Sequence, residues 1–329
     1  MSNIAASSLP PMSGPASGDR DTGETVWTNG KPSAGQIAVC VPFYRDDPAH
    51  LAEALSVMTG AETTSLIFYD DGSGDDAITG GLKEELAGYP GAACLVTAKV
   101  NCGRAHARNR LAGLAAQDWI LFLDADMQPD DGAFIDRYIN AIKASGGPAV
   151  ISGGFSLHHT RPSPETRLHA AQSRRSECLD AETRNKAPGL YLFTSNILVH
   201  RAVLETVPFD DGYEGWGWED VDWGLSVVAS YPLRHIDNPA THLGLDETGA
   251  LLDKFGGSGR NFARLARRHP DAISQMPLYR MAKLFSRFPA RSFLQRLARG
   301  GAAFTVFPVG VRLACLKTYR ALAYSKDIS

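Results

Sequence analysis

The sequence lacks several features that would place it outside the ordinary soluble class of proteins. Its five cysteines are scattered, without a C-x-x-C pair or zinc-finger spacing, which favours a reducing, cytoplasmic compartment. The N-terminus lacks the apolar core of a signal peptide. The apolar segment 302–316 contains Pro308 and Arg312 and is shorter than the ~20 residues that a spanning helix needs. We therefore expect a cytoplasmic protein in which this segment is interfacial or packed, not transmembrane.

Acidic residues are nearly absent from the C-terminal part of the chain. Residues 260–329 hold 14 Lys and Arg against two acidic residues, whereas residues 1–259 hold 19 basic and 34 acidic residues. Apolar residues recur there at helical spacing with cations between them, namely Leu278, Met281, Leu284, Phe285 and Phe288, and Arg280, Lys283 and Arg287. A basic amphipathic helix of this kind can bind an anionic membrane surface. The pattern equally fits helices that pack on the body with their cations in water, and both interpretations stay open.

Composition limits the domain organisation. Of the 329 residues 44% are hydrophobic and 21% are charged, which excludes wholesale disorder or a fibre and is enough for one large core or two smaller ones. Residues 1–35 are rich in Ser, Pro, Gly and Ala, so we expect a disordered N-terminal tail. The rest divides into an α/β domain over 36–245 and a basic, helical C-terminal region over 246–329.

Strand-like and helix-like segments alternate from residue 37 onward, as in a parallel α/β domain. We expect strands over 37–41, 65–69, 92–97, 119–123, 149–152, 193–200 and 233–236. We expect helices over 48–58, 75–86, 104–116, 130–144, 163–186 and 219–230. The glycine-rich segment 256–260 follows no strand and is interpreted as a flexible lid or linker. The pattern therefore predicts the α/β class.

The most informative segment is 119–126, an apolar, strand-like run that ends in two carboxylates one residue apart. Open α/β sheets bind ligands beyond the carboxyl ends of such strands. Side chains two apart in an extended backbone point the same way, so Asp124 and Asp126 could converge on one hard cation. His242 could complete such a metal shell. The pair predicts a place for a metal and a phosphate, although D-x-D alone also occurs in solvated loops.

Two further motifs close the strands before it. VPFYR brings Pro42 and Tyr44 to the end of the first strand, where backbone groups and a ring could receive a planar base. Proline is also common in the turns that end strands, without any role in binding. DDGSGD closes the second strand with Asp70 and Asp71, although the same motif would also cap the following helix. Each motif alone is compatible with a structural role.

The motif NCGRAHARN sets a glycine turn before a helix that carries Arg104 and Arg108 on one face. Such a helix N-terminus suits an anion, although two solvated arginines would look the same in the sequence.

The motif GWGWEDVDWG suits neither a regular helix nor a regular strand where it begins. The faces of Trp216 and Trp218 can stack on sugar rings, and the carboxylates of Glu219 and Asp220 can accept hydroxyl protons or hydrogen bonds. Alternatively, the tryptophans fill a core and the carboxylates are charges at a helix N-terminus.

These five motifs, in this order, resemble the glycosyltransferase family 2 type of GT-A enzymes over residues 37–242. The last motif also resembles the acceptor-side motif of β-1,4-galactosyltransferase-like domains. The resemblance implies a GT-A fold, which is a Rossmann-like, mainly parallel sheet flanked by helices, here with a C-terminal helical extension. It also implies a nucleotide-sugar donor, usually a UDP-sugar, with Mn²⁺ or Mg²⁺ and a single displacement that inverts the anomeric carbon.

The resemblance assigns roles to the motif residues. The base and ribose of the donor would be bordered by Pro42, Tyr44 and Asp71, with Asp70 nearby. The rest of the donor site would consist of Arg108 at the donor, Asp124 and Asp126 at the ribose and metal, and His242 as a metal ligand. On the acceptor side Asp220 would be the catalytic base, and the acceptor would be held by Glu219, Trp216 and Trp218.

Two features that are missing from the sequence indicate which members of this family the chain does not resemble. The Q-x-x-R-W motif of processive polysaccharide synthases is missing, because segment 172–175 lacks the tryptophan and lies too early, and their transmembrane helices are missing too. We expect single addition to a glycan or glycolipid acceptor, with no nucleic-acid partner. A basic phosphate-binding loop after the first strand would favour a nucleotidyltransferase, and VPFYRDD is not such a loop. Loss of the D-x-D or of the Glu–Asp pair would favour a catalytically silent carbohydrate-binding protein, and both are intact.

Overall fold

The computed structural model describes residues 22–328. Its strands are β1 (Thr25–Thr28), β2 (Ile37–Phe43), β3 (Thr64–Asp70), β4 (Ala92–Thr97), β5 (Trp119–Leu123), β6 (Met127–Pro129), β7 (Val150–Ser152), β8 (Phe155–Ser156), β9 (Asn196–His200), β10 (Leu233–His235) and β11 (Ala240–His242). Its α-helices are α1 (Ala49–Ser56), α2 (Asp76–Gly88), α3 (Arg104–Leu114), α4 (Phe134–Lys143), α5 (Arg167–Ser176), α6 (Ala181–Arg184), α7 (Arg201–Thr206), α8 (Glu219–Val228), α9 (Thr248–Gly257), α10 (Gly259–Arg268), α11 (Pro270–Ser274), α12 (Pro277–Ser286), α13 (Arg291–Ala303) and α14 (Val309–Tyr324).

An eight-stranded sheet forms the centre of the body, in the order β1-β4-β3-β2-β5-β9-β7-β10. Strands β4, β3, β2 and β5 run parallel, since each is joined to the next along the chain through a helix that crosses over the sheet. Strand β9 is antiparallel to β5 and β7, and β10 is parallel to β7. The expected α/β class with a mainly parallel sheet is therefore confirmed.

Helices cover both faces of this sheet, as the near-continuous hydrophobic central strands require. On one face Leu51, Leu82 and Phe134 pack against the strands from α1, α2 and α4. On the other face Leu111 and Trp223 pack from α3 and α8. The carboxyl ends of the parallel strands are thereby left at one edge of the sheet, where their loops meet.

A second sheet, in the order β6-β11-β8, lies beside this edge. Strand β6 begins directly after Asp126 and pairs antiparallel with β11, so that His242 lies opposite Met127. The helix expected over 130–144 begins only at Phe134, after this extended segment and a turn. The small sheet therefore carries His242 to the D-x-D segment.

Two expectations about the middle of the chain are wrong. The helix expected over 163–186 is broken after Ser176, because Asp180 starts α6 by accepting a hydrogen bond from the Thr183 amide at 2.7 Å. The segment 256–260 is not a flexible lid or linker, because it consists of the end of α9, the buried Ser258 and the start of α10.

Part of the expected N-terminal tail is a strand. Strand β1 pairs antiparallel with β4, with Thr25 opposite Thr97. Next to it, the Glu24 carboxylate accepts hydrogen bonds from Arg110 at 2.6 Å and from the Tyr69 hydroxyl at 3.1 Å. The expectation of disorder over 1–35 is therefore wrong for this strand, and residues 1–21 lie outside the described residues.

Helices α9–α14 pack into two clusters on the body. Leu251, Phe255 and Leu316 belong to one cluster, and Phe262 and Tyr324 belong to the other. The apolar segment 302–316 contributes buried side chains to the first. Over residues 22–328, none of the helices is both long enough and apolar enough to span a bilayer.

Candidate active site

The loops after β2 and β3 lie against each other. The Phe43 carbonyl accepts from the Asp71 amide at 2.9 Å, and the Ser73 hydroxyl accepts from the Arg45 amide at 2.7 Å. Arg45 has a positive φ of 61°, and its guanidinium carbon lies 4.9 Å from the centre of the Tyr44 ring. Tyr44 is exposed, next to the half-buried Pro42. The first two motifs therefore share one rim of the sheet edge.

The two carboxylates that close β3 have different surroundings. Asp71 accepts hydrogen bonds from the Cys102 and Gly103 amides, at 2.9 and 2.8 Å, so that its two oxygens fix the loop before α3. Burial raises the pKa of Asp71, and the two amides oppose this shift. One oxygen of Asp70 accepts from the Ser73 amide at 2.8 Å, whereas Oδ2 is buried without a hydrogen-bond partner. Of the two carboxylates, Asp70 is therefore the one that has an oxygen, Oδ2, without a hydrogen-bond donor.

An ion pair between a buried arginine and a partly exposed aspartate lies at the centre of the site. Arg108, which is 3% exposed, donates from Nη2 to Oδ1 of Asp124 at 2.7 Å. Burial opposes ionisation of Asp124, but the charges of Arg108 and Arg104 outweigh it and hold the pKa of Asp124 below its usual value. Arg108 also interacts electrostatically with Asp220 and Glu219. One guanidinium thus connects the D-x-D segment with the beginning of α8.

The second aspartate of D-x-D turns towards β11. Oδ2 of Asp126 lies 3.0 Å from Nε2 of His242, and this contact outweighs burial and raises the pKa of His242. The backbone at Gly244 passes close to this carboxylate, since a Cβ atom on Gly244 would lie 2.3 Å from Oδ2 of Asp126. The expected partners Asp126 and His242 are therefore brought together, while Asp124 is bonded to Arg108.

The pair of Asp126 and His242 has the ligand chemistry of a divalent-metal site. Over residues 22–328 no group of three His, Cys, Asp or Glu side chains is arranged to hold a metal ion. A carboxylate and an imidazole nevertheless suit Mn²⁺, and Mg²⁺ at phosphate sites commonly takes one or two carboxylates and completes its shell with phosphate and water. The residues fit a metal that binds together with a diphosphate.

The carboxylates of α8 follow a strained turn. Trp218 has a φ of 78°, a left-handed conformation that is uncommon outside glycine. Oδ1 of Asp220 accepts from the Thr194 hydroxyl at 2.6 Å, and Oε2 of Glu219 is buried without a partner. Burial, together with the nearby charge of Glu219, raises the pKa of Asp220 to about 6. Arg104 lies 3.5 Å from Glu219. The arrangement offers one carboxylate with a raised proton affinity beside one with a free acceptor oxygen.

The two tryptophans of this motif pack against the C-terminal helices. The Trp216 ring lies 5.4 Å from the Phe255 ring. The Trp218 ring lies 4.6 Å from Phe262 and 4.7 Å from the Arg320 guanidinium, and its Nε1 donates to the Tyr324 hydroxyl at 3.0 Å. These contacts give Trp218 a role in positioning Glu219 and Asp220 and do not favour direct stacking on a sugar.

Asn261, on α10, fastens the same loop. Its side-chain amide donates to the carbonyl groups of Glu214, Trp216 and Gly217 at 2.9, 3.4 and 3.1 Å. A single side chain therefore holds the backbone that leads into the two carboxylates, and no motif in the sequence points to it.

Asn261→Ala should lower the free energy of unfolding by about 1–2 kcal/mol, because it leaves three loop carbonyl groups without their donor. The donor-side residues are untouched, so the affinity for a nucleoside diphosphate should stay within about twofold. Urea denaturation and calorimetric titration measure these quantities. Asn140→Ala, at an exposed position of α4, is the matched control and should change stability by less than about 0.5 kcal/mol. Equal effects of both substitutions would contradict the fastening role.

Other residues that sequence reasoning missed also lie here. Burial and the charge of Asp126 raise the pKa of Asp46, and the charge of Lys254 opposes this shift, so these groups share one electrostatic environment. Lys254 donates to both oxygens of Asp246, at 2.8 and 2.7 Å. Asp46 belongs to VPFYRDD and could have been found there, whereas Lys254 and Thr194 come from segments without a motif.

The sequence match places the chain in a family. The model of glycosyl transferase family 2 matches residues 38–205, just over half of the 329 residues. The fold and the arranged carboxylates define a GT-A glycosyltransferase, and the chain belongs to glycosyltransferase family 2. No curated protein sequence matches the chain significantly.

Several solved structures of glycosyltransferases match the chain over most of its length. The mannosyltransferase PcManGT from Pyrobaculum calidifontis, in complex with GDP-Man and Mn²⁺, has a TM-score of 0.57 at 15% identity over 89% of this chain and 87% of that one. Glucosyl-3-phosphoglycerate synthase from Mycobacterium tuberculosis has a TM-score of 0.47 at 16% identity over 71% of this chain and 80% of that one. S. aureus TarS has a TM-score of 0.44 at 13% identity over 88% and 91% of the two chains.

Proposed function

We propose that the protein is an inverting, metal-dependent transferase that moves one sugar from a nucleotide-sugar, a UDP-sugar, to a glycan or lipid-linked acceptor without processive elongation. The observation that carries this proposal is the placement of Asp124 and Asp220 around the buried Arg108, with the Asp126–His242 pair beginning two residues beyond Asp124. The two sides have complementary chemistry, one for a leaving diphosphate and one for an attacking hydroxyl.

On the donor side, Asp126 and His242 would hold Mn²⁺ or Mg²⁺, which when bound neutralises the negative charge of the departing nucleoside diphosphate. Arg108 adds a fixed positive charge beside Asp124 and orients that carboxylate towards the donor. PcManGT, which shares the fold, is in complex with GDP-Man and Mn²⁺, and this supports a nucleotide-sugar donor together with a metal. The exposed Tyr44 ring and the unpaired Asp70 oxygen suit the nucleobase of the donor at the neighbouring rim.

On the acceptor side, Asp220 would take the proton of the attacking hydroxyl. A carboxylate with a pKa of about 6 is a better base than an ordinary aspartate and is still ionised at neutral pH. The unpaired oxygen of Glu219 can accept a second acceptor hydroxyl. Thr194 holds Asp220 in place through its hydroxyl. A hydroxyl that attacks the anomeric carbon from the face opposite the leaving group would invert it.

We place the enzyme at the cytoplasmic face of a membrane as a peripheral protein, because its basic C-terminal region fits an anionic surface and its acceptor can then be lipid-linked. Single addition agrees with the missing Q-x-x-R-W motif.

The proposal is tested by calorimetric titration of UDP, and of GDP in parallel, with and without Mn²⁺. Wild-type protein should bind UDP in the presence of Mn²⁺ and at least about tenfold more weakly without it, since the metal links the diphosphate to Asp126 and His242. Asp126→Ala should remove the metal-dependent part of the affinity. Asp118→Ala, at the exposed amino end of β5, is the matched control and should bind as the wild type does.

The outcomes separate the alternatives. Tighter binding of GDP would leave the transferase intact and replace the uridine donor. Nucleotide binding that is unaffected by Mn²⁺ and by Asp126→Ala would refute the metal site. Metal-dependent binding without turnover of any nucleotide-sugar would favour a catalytically silent carbohydrate-binding protein.

A further inference from the structure

Exposed hydrophobic side chains are concentrated in one part of the molecule. Within residues 22–328, ten of the fifteen large hydrophobic side chains that are exposed lie between 281 and 311. They are Met281, Leu284, Phe288, Phe293, Leu297, Phe304, Val306, Phe307, Val309 and Val311. We call them the C-terminal apolar surface. Such a concentration on a folded protein marks a contact with a partner or a membrane.

Helix α12 has a broad apolar face, and only one side of it is covered. Ala282 is buried and Phe285 packs against the core of the C-terminal helices. Met281 and Leu284 lie along the other side, which Phe288 extends just after the helix ends at Ser286, and Leu284 is 70% exposed. Packing on the body therefore accounts for one side of the apolar face and leaves the other side without a partner in the described structure.

The exposed face continues through α13 into the turn before α14. Phe293 and Leu297 are one helical turn apart, on the side opposite the buried Ala298 and Ala302. At the turn, the Phe304 and Phe307 rings lie 4.9 Å apart, and the Phe304 carbonyl accepts from the Phe307 amide at 3.2 Å. The turn is therefore formed before any partner binds, with its aromatic rings already facing outward.

The charge around this surface has one sign. Residues 272–326 contain ten Lys and Arg and no Asp or Glu. Salt bridges in the C-terminal region are formed by Lys254, Arg264, Arg268, His269 and Arg299. Within residues 22–328 Lys283, Arg287 and Arg296 form none, and all three are exposed. An apolar centre with a cationic rim complements the acyl region and the anionic headgroups of a bilayer.

We infer that the C-terminal apolar surface is a docking surface for an anionic phospholipid bilayer, with the 304–307 turn inserted and Lys283, Arg287 and Arg296 at the headgroups. A protein partner would need carboxylates to match this rim, whereas an anionic leaflet supplies negative charge wherever the surface lands. Helix α14 runs from the docking surface to Tyr324, which bonds Trp218 beside Glu219 and Asp220. Docking would therefore hold the proposed acceptor side of the enzyme in a fixed relation to the bilayer.

This inference rests on the membrane location within the proposed function and is tested without donor or acceptor, so that the two can fail separately. The full chain is sedimented with phosphatidylcholine vesicles that contain about one-third phosphatidylglycerol, at low and at high salt. Binding should fall steeply with salt and should be at least about tenfold weaker to phosphatidylcholine alone, because each headgroup contact is electrostatic.

Two variants test the two halves of the surface. Phe304→Ser with Phe307→Ser should weaken binding at least about tenfold through lost apolar burial. Lys283→Gln, Arg287→Gln and Arg296→Gln together should weaken it about a hundredfold at low salt. The matched control combines Val57→Ser, directly after α1 and 82% exposed, with Lys143→Gln on α4, and should bind as the wild type does.

Circular dichroism and the UDP titration report whether each variant remains folded. Binding that is equal on neutral and anionic vesicles, or that survives both variants, would overturn the inference. A dimer seen by light scattering that the Phe304→Ser, Phe307→Ser variant dissociates would also overturn it, since a second copy would then cover the surface.

Discussion

Replacing Asp220 with asparagine should lower the kcat/KM for nucleotide-sugar turnover by about 10³-fold, within the range that a general base contributes. The substitution keeps the shape of the side chain and its acceptor for Thr194, and it removes the group that takes the proton. Asp220 makes none of the proposed donor contacts and is linked to them only through the charge of Arg108, so the Kd for UDP with Mn²⁺ should change far less than the rate, by less than about threefold. Release of UDP from the nucleotide-sugar, measured with and without acceptor, provides the rates.

The pH profile identifies the group. A base acts only when ionised, so the wild-type rate should rise with pH through about 6 and level off above it. The hydroxyl of Thr194 stabilises the charged form of Asp220, so Thr194→Val should move the midpoint to higher pH. Asp211→Asn, in the exposed loop before the motif, is the control and should leave the profile unchanged. A retained rate in Asp220→Asn, or a profile that Thr194→Val leaves in place, would assign the base to another group.

The part of the site that lies on long, regular elements could be predicted from the sequence. The apolar run of β5 predicts a buried strand, and the end of that strand fixes where Asp124 and Asp126 lie relative to the sheet. The α/β class follows from the alternation of strands and helices, and the GT-A fold is expected from the resemblance of the five motifs to the family. The roles of individual residues stay predictions, but their convergence at one edge follows from parallel strands having a common carboxyl end.

Contacts between distant segments could not be predicted. Strands β6 and β11 have three residues each, too few for a periodic pattern, yet their pairing brings His242 to Asp126. Trp218 bonds Tyr324 across 106 residues of sequence, which no local pattern encodes. Helical spacing in α12 likewise shows a broad apolar face and does not show which side of it the body covers.

The second large effect is expected for Arg108→Met, which removes the cation at the centre of the site. Asp124 would keep most of its burial and lose its partner, so the free energy of unfolding should fall by about 3 kcal/mol at neutral pH. This value is at the lower end for a buried pair because the Asp124 side chain is 30% exposed and solvent stabilises part of its charge. UDP affinity should also fall at least about tenfold, since the diphosphate loses a fixed positive charge.

The sign of the pH dependence follows from the lowered pKa of Asp124. A carboxyl group whose pKa is lower in the folded than in the unfolded state stabilises the fold above its ordinary value of about 3.9, and this contribution is lost as the pH falls through the folded value. In the variant the carboxyl group becomes neutral at a higher pH than in the wild type. The stability difference between the two proteins should therefore narrow on acidification.

A double substitution distinguishes loss of the partner from loss of packing. If the cost comes from the unpaired charge, adding Asp124→Asn to Arg108→Met should restore most of the stability and none of the UDP affinity. Arg110→Met is the matched control, because Arg110 lies on the same helix and pairs with Glu24 instead. It should lower stability and leave UDP binding unchanged. If Asp124→Asn instead restores no stability to Arg108→Met, the guanidinium acts through packing, and the electrostatic link between the D-x-D segment and Asp220 is not what holds the site together.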